Sequence, residues 1–311
     1  MANNDPIFFL NGNYVREDEA KVSVFDRCFL YGDGLFEGVA VWESHPFRLD
    51  AHLDRMGAGL RYLRIEPDLS HQDWWEIVRQ VIRRNEMSDG YLRIQVSRGE
   101  GISSIRWEPR LLRNPKPNVV VIPVPGLASY YAGMGSQSSE DEGLSAIVVS
   151  RPRISSRSIP SGIKHCNYLD SVLGAMDVSD CGADIGLAID EQGFLTEGVA
   201  YNIFAVQSGK LVTPPVQRDL LPGITRQVIL DLHRAAGGEA EERDIDLFAL
   251  CSADEVFVCS TLKFAEPVTM IGGRVIGDGR RGPVTRKLHD MLIKEMSEEA
   301  RNGGKETREN G

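Results

Sequence analysis

Short apolar runs with strand character alternate with amphipathic helical runs along almost the whole chain, and one aperiodic stretch, residues 125–143, interrupts them. This alternation restricts the fold more than any other feature. It calls for sheets covered by helices, the α/β (or α+β) class. Residues 125–143 carry Pro, Gly, Ser, Tyr and acids without a period, which predicts an inter-domain linker or lid. They separate a small N-terminal α/β domain, 1–124, from a larger domain, 144–296. The polar, low-complexity end, 297–311, predicts a frayed, flexible tail.

Local patterns support the alternation. Phe8–Leu10, a turn at Asn11-Gly12-Asn13 and Tyr14-Val15 predict a hairpin. Leu35–Trp42 predicts a buried strand. Leu53, Met56, Leu60 and Leu63 keep helical spacing behind a capping Asp50, and Ser70 with Asp73 forms a capping-box signature ahead of a helix at 74–84. Tyr91–Val96 and Asn118–Val124 predict strands, and the apolar run Val119–Ile122 suggests cover on both faces. Beyond the break, strands are expected near 144–150, 184–190, 200–207, 210–213 and 254–259, and helices at 167–180, 223–236 and 282–296.

Composition excludes several function classes. The chain has 35 basic and 45 acidic residues, a net charge of -10, which argues against a nucleic-acid partner. No run of 18 apolar residues predicts a membrane span, and the N-terminus does not read as a signal peptide. Five scattered cysteines (28, 166, 181, 251, 259) form no C-x-x-C pair, so neither a disulfide framework nor a thiolate metal site is expected; a reducing cytoplasm is the simplest compartment. Six histidines give no metal-binding spacing, and no nucleophile elbow or P-loop is present.

Only eight lysines remain as possible catalytic amines. Lys164, in Ser161-Gly162-Ile163-Lys164-His165-Cys166-Asn167-Tyr168, precedes an expected helix. A lysine so placed can point into a cleft and lose its proton there, although on position alone a solvated surface lysine is the commoner case.

Its surroundings decide between the two. Asp26–Gly38 (DRCFLYGDGLFEG), Phe47–Met56 (FRLDAHLDRM), Lys164 with Asn167-Tyr168-Leu169, Leu195-Thr196-Glu197-Gly198 with Asn202-Ile203-Phe204, and Leu221–Arg226 with Asp254–Phe257 and Ser260-Thr261 follow in order. Together these segments resemble the fold-type IV pyridoxal-phosphate aminotransferases, and the branched-chain amino acid aminotransferases most of all. The likeness covers about residues 7–296. It implies a small N-terminal α/β domain, a larger domain with a pseudo-barrel sheet, and pyridoxal 5′-phosphate as cofactor.

The resemblance also implies residue roles. Lys164 holds the cofactor covalently and carries the proton; Glu197 faces the pyridine nitrogen and keeps it protonated; Tyr168 bonds the phenolic oxygen. Ile224 and Thr225 at a helix start, Ser260-Thr261, and Arg55 from the first domain form the phosphate cup. No metal is expected.

Substrate positions diverge from the family. Tyr31, Phe36 and Gly38 match the branched-chain pattern, an aromatic wall and a glycine that leaves room. Ala40 stands where the family has arginine for the substrate carboxylate. Leu262-Lys263, then Phe264, replace two small residues and a glutamate, and Tyr201 replaces an acid. Either the carboxylate site is rebuilt, with Lys263, Arg93, Arg98 or Arg106 supplying the charge, or it is weakened and less polar amines enter, as in (R)-amine transaminases; a D-amino-acid transaminase of the same fold is another alternative. Aminodeoxychorismate lyase and a catalytically silent binding module are further alternatives. The implied partners are an amine or amino acid donor, a 2-keto acid acceptor and a second copy in a homodimer. Tyr31 and the loop at 99–109 are expected near that interface, and Tyr130-Tyr131 could contact substrate.

Overall fold

Asn11 and Gly12 both take left-handed backbone (φ 50° and 91°), the pair of positive angles a two-residue hairpin turn requires. They join β1 (Ile7–Leu10) to β2 (Asn13–Arg16). The computed structural model describes residues 5–100, 108–109, 116–126 and 143–309. Arg106, Tyr130-Tyr131 and most of 99–109 and 125–143 lie outside them.

Two compact units emerge, the first made of Met1–Gly133, Ile163–Asn167 and Met296–Gly311, the second of Met134–Gly162 and Tyr168–Glu295. In the first unit β1 and β2 join β3 (Gly34–Trp42), β4 (His45–Pro46), β5 (Gly90–Ser97) and β6 (Asn118–Pro125). The sheet is antiparallel, in the order β2-β1-β6-β5-β3-β4. Its core face carries Leu35, Val39, Val41, Leu92, Ile94, Val96 and Val121 against α2 (Leu49–Leu63) and α3 (His71–Arg84). The short α1 (Arg27–Tyr31) precedes β3 and is capped by Asp26, whose side chain accepts from the Cys28 N–H.

Three local expectations change. Asp50 lies inside the first turn of α2, and Arg48, in left-handed backbone, is the N-cap. Strand β6 alternates buried and half-buried residues, so one face is covered and not two; valine and isoleucine suit the pleat whether or not they are buried. The terminal helix α7 (Pro283–Glu309) continues where the composition predicts a frayed tail. The indole N–H of Trp42 donates to Ser297 Oγ (2.8 Å) and the Arg48 N–H to Glu299 Oε1 (2.7 Å), contacts no composition count reveals.

In the second unit β7 (Leu144–Val148), β8 (Ile185–Ile189), β9 (Leu195–Gly198), β10 (Asn202–Gln207), β11 (Lys210–Thr213), β12 (Ala240–Glu242), β13 (Glu255–Cys259) and β14 (Glu266–Ile271) form one curled sheet, ordered β12-β11-β10-β13-β14-β7-β8-β9, with β15 (Arg274–Val275) beside β14. Helices α4 (Leu169–Cys181), α5 (Ile224–Ala235) and α6 (Leu247–Cys251) belong to the same unit. Its core gathers Leu187, Leu195, Ile203, Val212, Val256, Val258 and Val268. No helix among the described residues is long and apolar enough to cross a membrane.

Candidate active site

Strand β3 sorts its residues by the two-residue period of a pleat. Leu35, Val39 and Val41 face the helices, and Glu37, 1% exposed, stands among them. A buried carboxylate needs partners. Arg55 donates through Nε (2.8 Å) and Nη2 (2.7 Å), and His52 Nδ1 lies 2.7 Å from Glu37 Oε2. His52 and Arg55 are three apart on α2 and so share its sheet-facing side. Burial opposes ionisation of Glu37, but the Arg55 charge and the bonds from Arg55 and His52 win, lowering its pKa to about 2. Burial depresses the His52 pKa, so the ring is neutral and its Nδ1–H donates.

The opposite face of β3 shows Phe36, Gly38 and Ala40. Their direct partners on β5 are Gln95, Arg93 and Tyr91. The room left by Gly38 belongs to Tyr91, because a Cβ there would lie 2.5 Å from the Tyr91 hydroxyl. Arg93 bonds Gln95 (2.8 Å) and lays its guanidinium 3.6 Å from the Phe36 ring centre. Arg98 is committed elsewhere: it chelates Asp33 and donates to the carbonyls of Leu63 and Arg64.

Lys164 joins this face. Its carbonyl accepts from the Phe36 N–H (2.9 Å), His165 bridges Leu35, and the Cys166 N–H donates to Gly34 (3.0 Å). The Lys164 ammonium sits 4.7 Å above the Phe36 ring. Tyr31 contributes a buried hydroxyl with no hydrogen-bond partner among the described residues.

The second unit holds the other predicted residues. Glu197 is buried on β9; Oε1 meets Arg153 Nη2 (2.7 Å) and Oε2 accepts from the Leu221 N–H (3.0 Å). Asn202 donates to the Leu221 carbonyl (3.0 Å), so Glu197 and Asn202 both hold the loop entering α5. Gly223 caps α5 without a side-chain acceptor, and a Cβ there would lie 1.8 Å from Asn202 Oδ1. Ile224 and the buried Thr225 open the helix. Ser260 Oγ accepts from the N–H groups of Leu262 (3.3 Å) and Lys263 (3.1 Å), which folds the Ser260–Lys263 turn around Thr261. Lys263 is buried and ion-paired to Glu266 (2.6 Å), with the Tyr201 ring 5.4 Å away. Tyr168 is the N-cap residue of α4, not part of its interior.

A family model described as amino-transferase class IV matches residues 34–271. The chain belongs to the class IV aminotransferases. The putative branched-chain-amino-acid aminotransferase of Methanocaldococcus jannaschii is 36% identical over 284 residues, 91% of this chain and 94% of that protein. The solved branched-chain amino acid aminotransferase of Escherichia coli superposes with a TM-score of 0.83 at 31% identity, covering 92% of each chain. The enzyme of the same name from Thermobaculum terrenum, solved in its PLP-form, gives a TM-score of 0.81 at 25% identity over 94% of each chain.

Enzymes of this class depend on pyridoxal 5′-phosphate, and the aminotransferase has the groups that cofactor needs. Lys164 supplies an amine beside an aromatic face. Gly223 starts α5 with no side-chain cap on its first N–H groups, the donors an anion needs, and its missing Cβ leaves room for the Asn202 amide oxygen. Glu197 supplies a buried carboxylate and Tyr168 a phenol.

Sequence reasoning missed the roles of Glu37, His52, Arg153 and Tyr91. One signal was available: Glu37 is the only acid inside the run Gly34–Trp42, and a charge within a buried strand implies a partner. Nothing local pointed to Arg153, which meets both Glu197 and Asp170.

Proposed function

We propose that the aminotransferase moves the amino group of a branched-chain-type amino acid to a 2-keto acid in a ping-pong cycle, with its carboxylate site rebuilt around Arg93. The observation that carries this is the shared face of Phe36, Gly38, Arg93 and Lys164, which brings an amine, a guanidinium and an aromatic wall together in one unit. Arg98 is spent on Asp33 and Lys263 on Glu266, so Arg93 is the candidate cation that the described geometry favours. The relatives compared above, all branched-chain enzymes by name, support this reading over the (R)-amine, lyase and binding-module alternatives.

Pyridoxal phosphate supplies an aldehyde that bonds amines and a ring that accepts the electrons of the substrate Cα–H bond. The protein does the rest. Lys164 holds the cofactor covalently through Nζ and, once displaced, takes the substrate proton on that nitrogen and returns it. Glu197 accepts from the pyridine N–H and so keeps the ring cationic. Tyr168 donates to the phenolic oxygen. Gly223, Ile224, Thr225, Ser260, Thr261 and Arg55 hold the phosphate. Arg93 and Tyr31 orient the substrate, while Phe36, Ala40 and Leu262 shape the space for its side chain.

A homodimer completes the proposal. Val22, Val24, Phe25, Phe29 and Leu30 form an exposed apolar stretch on the first unit, of the kind a second subunit covers. Sedimentation velocity giving a single monomeric species would remove this part.

A half-reaction screen tests the function. The protein loaded with pyridoxal phosphate is mixed with L-leucine, D-alanine or (R)-1-phenylethylamine, and conversion to pyridoxamine phosphate is followed by absorbance. L-leucine alone should convert it quickly; conversion only by the aromatic amine would overturn the branched-chain reading. Borohydride followed by peptide mapping should place the cofactor on Lys164, and Lys164→Ala should lose both the attachment and at least about 10²-fold in turnover.

A further inference from the structure

Two cysteines 138 positions apart meet at one glycine. The Gly34 carbonyl accepts from the Cys166 N–H (3.0 Å), and Cys28 Sγ lies 3.4 Å from where a Gly34 Cβ would be. Both thiols are half-buried, and the Cys166 thiol hydrogen-bonds Cys28. Gln95 Nε2 approaches Cys28 Sγ at 3.5 Å from the other side.

The surroundings make the two sulfurs unequal. The bond from Cys166 lowers the Cys28 pKa against burial and Asp26, and Arg93 helps. The same bond, with burial, raises that of Cys166. Burial raises Cys251 as well, and pushes Cys259 up to about 12. Gln95 Nε2 donates to Cys28 Sγ and the Arg93 charge acts on it, so Cys28 is placed to attack and Cys166 to resolve.

We propose that Cys28 and Cys166 form an oxidant-sensitive dithiol that closes to a disulfide and thereby restrains Lys164. With a peroxide as oxidant, the Cys28 thiolate attacks one peroxide oxygen and the O–O bond breaks, giving a sulfenic acid and, after proton uptake, water. The Cys166 sulfur then attacks Cys28 Sγ, the S–O bond breaks, and hydroxide leaves with the Cys166 proton as a second water. Two thiols are oxidised and one peroxide is reduced.

Closure has a structural cost. An S–S bond is about 2.05 Å long, shorter than any non-bonded contact of two sulfurs, so closure pulls the two side chains, and through them α1 and Ile163–Asn167, toward each other. Lys164 is two residues from Cys166, its carbonyl is tied to Phe36, and a shift of about 1 Å at a reacting group can cost about 10²-fold in rate. This effect on turnover rests on the role proposed for Lys164; formation of the bond does not.

The test treats the holoenzyme with hydrogen peroxide, reads intact mass and L-leucine turnover, and then alkylates the remaining free thiols of a separate sample for peptide mapping. The expected product is about 2 Da lighter, yields a joined Cys28–Cys166 peptide, turns over at least about tenfold more slowly, and recovers with dithiothreitol. Cys28→Ser should neither lose the 2 Da nor slow under the same dose. Cys166→Ser should accumulate a Cys28 sulfenic acid that dimedone traps. Absence of the joined peptide overturns the dithiol. A joined peptide with unchanged turnover overturns the coupling to Lys164. Failure of the Lys164 assignment itself shows separately, as turnover in Lys164→Ala.

Discussion

Glu37 and Arg55 form a two-point ion pair, with Arg55 Nε on Oε1 at 2.8 Å and Nη2 on Oε2 at 2.7 Å, inside an otherwise apolar helix–sheet layer. The pair fixes the guanidinium plane on α2, and His52 holds the carboxylate from the side.

This pair should make the protein acid-sensitive. The folded pKa of Glu37, about 2, is below its unfolded value of 4.5. The stabilisation is therefore complete above pH 4.5 and is lost as pH falls towards 2, about 3 kcal/mol in all. Glu37→Gln should flatten the dependence of stability on pH between those limits. It should also lower stability at pH 7 by about 3–5 kcal/mol, because the Arg55 guanidinium loses the charge it faces in Glu37. Urea unfolding across that range measures both.

Arg93 and Arg98 should separate cleanly. Arg93→Gln should raise KM for L-leucine about 10- to 100-fold, the loss of one charge-assisted bond, with little change in melting temperature. Arg98→Gln should do the reverse, because Arg98 ties Asp33 to the end of α2. Steady-state kinetics beside thermal unfolding give the comparison.

Gly38→Ala should destabilise through Tyr91. The added methyl would sit 2.5 Å from the Tyr91 hydroxyl and 2.6 Å from Cε2, so the ring must move. The expected loss is about 1–3 kcal/mol, and in a Tyr91→Ala chain, which has no ring there, Gly38→Ala should cost less. Additive losses in that double mutant would show that the ring is not the obstacle.

Removing 297–311 should lower the melting temperature by several degrees. It deletes the acceptors for the Trp42 indole and the Arg48 N–H and exposes the site of the buried Ala300. An unchanged melting temperature would mean that this part of α7 contributes nothing.

Much of the fold was legible because local chemistry carried it. The Asn11-Gly12 turn, the Ser70–Asp73 capping box and the period of α2 and α3 each follow from a few adjacent residues. Short strands such as β12 and β15 have no period to read and exist because a neighbour pairs with them. The site divides in the same way. Lys164, Glu197 and Thr225 stand within motifs, so likeness to a family was enough to nominate them. The clasp on Glu37, the Arg153 bridge and the Cys28–Cys166 contact join residues 15 to 138 positions apart, and only tertiary packing brings those together.

The first unit is built from three stretches, and the last begins at Met296. During synthesis at roughly 5–20 residues per second, its first 133 residues wait about 8–30 s for the helix end that receives Trp42 and Arg48. The lysine strip at Ile163–Asn167 arrives earlier, within about 2–6 s of the same point. The nascent chain thus has its six-stranded sheet and Lys164 on one scaffold while β3 and β4 still lack their final cover. For that interval water must take the place of Ser297 and Glu299 as acceptor for the Trp42 indole and the Arg48 N–H.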